Sequence, residues 1–132
     1  MKQPKLRFVT PKAIEDLTRN LNLQYTLSDY QDWEFIVGKP EDIEKYINYY
    51  TTEVDDDNKF ALMEIIIQAT EDQAMETDFL KYLKTVLHLL KENFSLHEYS
   101  VFYWSCFDND AIEDCWKLSP HMRNLWKDCN IG

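Results

Sequence analysis

Glycine is nearly missing from this sequence, with two in 132 residues, and proline is scarce at four. Phosphate-cradling loops depend on glycine, because only a residue without Cβ lets the backbone close around the anion. Gly-x-Gly-x-x-Gly and the phosphate loop are absent, and so is the Gly-x-Ser-x-Gly elbow of many serine hydrolases. Those three chemistries are set aside. Cysteine is also sparse: Cys106, Cys115 and Cys129 form an odd set with no close pair. Such a set suggests reduced thiols. No segment resembles a membrane span, and the basic start, Met1 to Val9, leads into no apolar signal core. A cytoplasmic location with no membrane partner is the expectation.

Positive charge is short as well. Lys and Arg number 14 against 24 acids, for a net charge of −10. The imbalance is local. Residues 1–27 hold two acids and five bases, residues 28–78 fifteen and three, and residues 79–132 seven and six. A chain with its acids gathered in the middle has no basic face for phosphates, which argues against nucleic acid as a partner. It suits a basic protein partner, or serves solubility alone.

What is present is apolar and aromatic. Hydrophobic residues make up 45% of the chain and aromatics 14%, enough for a folded core and too much for wholesale disorder. A chain of this length buries roughly two-thirds of its unfolded surface, so it needs no metal or disulfide to fold. There are no repeats or linkers, and a single domain over 1–132 is expected.

Read in order, residues 1–9 are an arm or a short edge strand. Thr10 and Pro11 open a helix over 11–22, with Ile14, Leu17 and Leu21 on one face. Trp33 to Val37 alternates like a strand. Pro40, Glu41 and Asp42 open a second helix whose buried stripe is Ile43, Tyr46, Ile47 and Tyr50. Phe60 to Ala69 reads as a nearly buried helix capped by Asp57 or Asn58, with a doubly buried strand as the alternative. A long helix starts at Glu76 or Thr77 and carries Lys81, Lys84, His88 and Lys91 on its solvent face. After a turn at Asn93 to His97, the β-branched and aromatic run Tyr99 to Cys106 predicts an interior strand. Residues 112–118 predict its hairpin partner, with a helical turn as the alternative. Ser119 and Pro120 start a last helix. The expected fold is α+β, with four to five helices packed on a small, at least partly antiparallel sheet.

Chemistry is harder to find. Cys106, Cys115, His121 and Cys129 are zinc-ligand types without zinc-site spacing. Asp108 to Ile112 starts like a calcium loop but lacks the third oxygen ligand, the central glycine and the closing glutamate. A Cys–His pair could join Cys106 or Cys115 to His97 or His121, yet no reactive turn surrounds them. No catalytic residue, metal ligand or cofactor is assigned, and the chain reads more as a binder than as an enzyme. The segment from Tyr49 through Glu53, Asp55, Asp56 and Asp57 sets a tyrosine beside carboxylates, a mixture that suits a protein interface. In size, acidity and lack of a catalytic motif, the chain is similar to the small cytosolic immunity proteins with which bacteria block basic toxin enzymes. That resemblance implies an inhibitor-type binding module. Two alternatives stand beside it: a small enzyme or ligand-binding protein with a pocket near Trp104 and Cys106, and a self-associating structural protein.

Overall fold

The computed structural model describes residues 3–23, 33 and 37–130. Among them there is no strand. Six α-helices and two short 3₁₀ turns are complete among the described residues. The α+β expectation is therefore wrong: among the described residues there is no sheet for the helices to pack on. The chain divides into two compact units, Phe8–Gln73, and Ala74–Gly132 with Met1–Arg7.

In the unit Phe8–Gln73, helix α1 spans Pro11–Leu21. Thr10 caps it, its hydroxyl accepting the Ala13 N–H at 3.1 Å, and Pro11 takes the first position, where its missing N–H costs nothing. The helix stops at Asn22, which adopts the left-handed conformation (φ 54°) that asparagine tolerates better than most residues. Lys45 donates to the Leu21 carbonyl at 2.6 Å, placing a cation where the helix dipole favours one. A 3₁₀ turn at Pro40–Asp42 leads into α2, Ile43–Tyr50. There Ile43, Tyr46 and Tyr50 are buried. Burial pushes the Tyr46 phenol pKa up, and its hydroxyl donates to the Val37 carbonyl. Of the strand expected over 33–37, residues 34–36 lie outside the described residues. Trp33 and Val37 are helical in backbone and buried.

Helix α3, Asp56–Glu71, is the element on which α1 and α2 both pack. Between Phe60 and Thr70 only Glu64 escapes full burial. The expected helix is present. Its cap is Asp55, which accepts the Asn58 N–H at 3.0 Å, rather than Asp57 or Asn58.

The second unit is built from α4, Glu76–Glu92; α5, Phe94–Ser105; and α6, Ser119–Cys129. Helix α4 touches both others, and α5 and α6 share the largest face. The run Tyr99 to Cys106, expected as a strand, is the second half of α5. Two local reasons favour the helix. Most of the turn expected at Asn93 to His97 continues it backward from Phe94, so one helix of 12 residues satisfies its own backbone, where a lone strand would need a partner. The aromatics also fall three and four apart, so that Tyr99 and Tyr103 stack with centroids 6.4 Å apart on neighbouring turns. The partner strand expected at 112–118 is instead a 3₁₀ turn, Ile112–Asp114, followed by irregular chain. Buried Ser119 knits that chain to α5, donating to the Trp104 carbonyl at 2.8 Å and accepting the Trp116 N–H at 3.1 Å.

Candidate functional site

Two surfaces hold polar or aromatic groups that the fold does not fully consume, one in each unit. The first is the acidic segment between α2 and α3. The structure keeps the five expected residues together along this stretch but gives them different work. Tyr49 is half-buried, and its hydroxyl accepts from Asn20 of α1 at 2.8 Å. Glu53 folds back on its own loop, accepting the Val54 and Asp55 N–H groups at 3.0 and 3.4 Å. Asp55 caps α3 while remaining exposed, and Asp56 and Asp57 are exposed in the first helical turn, where the dipole favours acids.

Among the described residues no ion pair engages Glu53, Asp55 or Asp56. Lys59, one turn further along α3, lies 5.6 Å from the Tyr50 ring centroid, and Lys12 and Arg19 both pair with Asp16, at 2.8 and 2.9 Å. Asp16 holds the Lys12 pKa up chiefly through that hydrogen bond, with a smaller pull from Asp55. At the tip of the acidic loop stands Val54, 88% exposed. An apolar residue set inside a run of acids was the sequence signal for it.

The second surface is an aromatic cleft of about 420 Å³ in the unit Ala74–Gly132. Tyr99, Phe102 and Tyr103 from α5 form one side; Phe107, Asp108 and Trp116 complete it, with Gln3 at the rim. Tyr103 lies against Trp116 at 5.3 Å between centroids, near parallel, and Phe102 meets Phe107 at 5.8 Å. Behind them Trp116 rests on buried Trp104 at 4.5 Å. The run expected as interior scaffolding thus exposes a flank, with Tyr103 48% accessible. Helical spacing of 99, 102 and 103 was the signal for that flank, and reading a strand concealed it.

The loop that supplies Phe107 and Asp108 is held at both ends. Cys106 and Cys115 form a disulfide, which overturns the expectation of three reduced thiols. Their spacing of nine residues says nothing by itself about approach in space. Arg123 of α6 donates to the carbonyls of Ser105, Cys106 and Asn109 at 2.7, 2.7 and 3.0 Å. These ties hold Cys106 at a positive φ of 58°, a conformation unusual for a residue with a side chain. The remaining thiol, Cys129, has its pKa pushed up by burial, which lowers its thiolate fraction.

The disulfide also removes Cys106 and Cys115 from any Cys–His pair or zinc set. No group of three or more His, Cys, Asp or Glu close enough to hold a metal occurs among the described residues. The basic stripe of α4 is exposed, with His88 Nε2 against Glu92 at 3.0 Å. No described helix is long and apolar enough to cross a membrane. No protein-family model, characterised protein or solved structure matches this chain.

Proposed function

We propose that the protein is a non-catalytic binding module that docks a basic protein partner through the 49–57 segment, in the manner of an inhibitor or immunity protein. The observation that carries this reading is the exposed charge of Asp55 and Asp56, engaged by no ion pair among the described residues, beside an exposed valine. Carboxylates left in water by the protein's own bases steer a cationic partner inward, and Val54 offers an apolar contact at the centre. A cytoplasmic location goes with this reading on one condition: the Cys106–Cys115 pair is then open, since that compartment keeps thiols reduced. Thiol trapping in acid-quenched cells reads that state.

The direct test uses Asp55→Asn, Asp56→Asn and Asp57→Asn together. Asparagine keeps the α3 cap, so the variant folds while losing three charges. Immobilised protein should retain a cationic partner from source-cell extract, and the triple variant should retain about tenfold less. Equal retention by both would remove the reading.

A further inference from the structure

The aromatic cleft is independent of the acidic segment and has its own electrostatics. Asp108 is its one ionised lining group, is exposed, and has no hydrogen bond or ion pair among the described residues. Between the two disulfide cysteines the loop carries Asp108, Asp110, Glu113 and Asp114 and no base, and all four acids are exposed. A phosphate-bearing ligand would enter against those carboxylates. A neutral ligand would leave them without a role.

Aromatic rings attract cations through the negative potential of their faces. The chain already uses its rings this way: Arg123 lies 5.5 Å from the Phe107 centroid and Lys117 lies 4.8 Å from that of Phe79. Arg123 itself is engaged by three carbonyls and does not line the cleft.

We propose that this cleft binds a small free organic cation bearing a quaternary or highly alkylated ammonium group. The cation would sit against Tyr99, Tyr103 and Trp116, with Asp108 supplying the countercharge at the mouth. A primary ammonium fits less well. It gives up strong hydration on entering, and five of the seven lining residues are aromatic, whose ring faces cannot replace N–H···O bonds. A trimethylated nitrogen has no N–H to satisfy and spreads its charge over methyl groups that pack on rings. In the oxidised protein the disulfide and Arg123 hold Phe107 and Asp108 in place beforehand, which lowers the ordering cost of binding.

The experiment is titration of the oxidised protein with choline and with tetramethylammonium, followed by calorimetry and tryptophan fluorescence. The neutral isostere 3,3-dimethylbutan-1-ol is the control. Saturable binding of both cations at roughly 1 mM or tighter is expected, with none for the alcohol in that range. Tyr103→Ala and Asp108→Asn should each weaken choline by about tenfold. Both positions are exposed, and circular dichroism verifies that each variant folds. Equal binding of choline and the alcohol would overturn the proposal, because the charge would then be irrelevant. Absence of saturation with the folded parent protein would overturn it as well, as would full retention of affinity in both variants.

Discussion

Asp16 gathers three hydrogen-bond partners. It accepts from Lys12 and Arg19 on its own helix and from Asn58 of α3 at 3.2 Å. The Lys12 hydrogen bond, followed by that from Asn58, lowers its pKa. A carboxylate with a depressed folded pKa adds stability above its unfolded value of about 4, and that stability is lost as pH falls through the folded value. Urea unfolding measured from neutral to acid pH should therefore show a decline below pH about 4 that is smaller in Asp16→Asn. Identical acid profiles would mean that the three bonds contribute nothing. At this scale the sequence is partly transparent. Thr10 was readable as a cap because Thr-Pro before an apolar stripe has one meaning. Asp55 was not, because it heads three consecutive acids, any of which has the oxygen that capping needs. The bond from Asn58 to Asp16 spans 42 residues and has no local signature at all.

The element that departs most from expectation is α5. Its second half has strand composition, but β-propensity largely reports what a side chain packs against, and a strand exists only beside another. The two predicted strands were to support each other, so when residues 112–118 fold as a turn and coil, neither remains. The disulfide belongs to the same region. Closing a loop of nine residues restricts the unfolded chain, which in the entropic account is worth about 2–3 kcal/mol. Cys115→Ser should lower urea stability by that amount. A thiol reductant should reproduce the loss in the parent protein and do nothing further to the variant. A parent protein indifferent to reductant would show that Arg123 alone holds the loop. The amphipathic helices α1, α2 and α4 were legible because each shows a clear apolar stripe. In α5 the buried set His97, Ser100, Val101, Trp104 and Ser105 mixes polar and apolar residues, so hydropathy marks no face.

At the scale of the whole molecule, charge is the informative property. An excess of twelve acids over residues 28–78 sets a long-range field, and salt attenuates such fields over about 10 Å at 0.1 M. With the retained partner in hand, stopped-flow association should slow by about tenfold from low to high salt for the parent protein, and much less for the triple asparagine variant. A rate flat in salt for both would assign the acids to solubility. The sequence by itself determined this charge pattern, the starts of α1, α4 and α6 and the burial of α3, because those properties depend on residues adjacent in the chain. Tertiary structure alone decided that residues 112–118 offer the aromatic run no strand to pair with, that Cys106 meets Cys115, and that rings from α5 face Phe107 and Trp116 across a cleft. Each of those outcomes depends on which distant segment supplies the partner, and periodicity within a window carries no record of that choice.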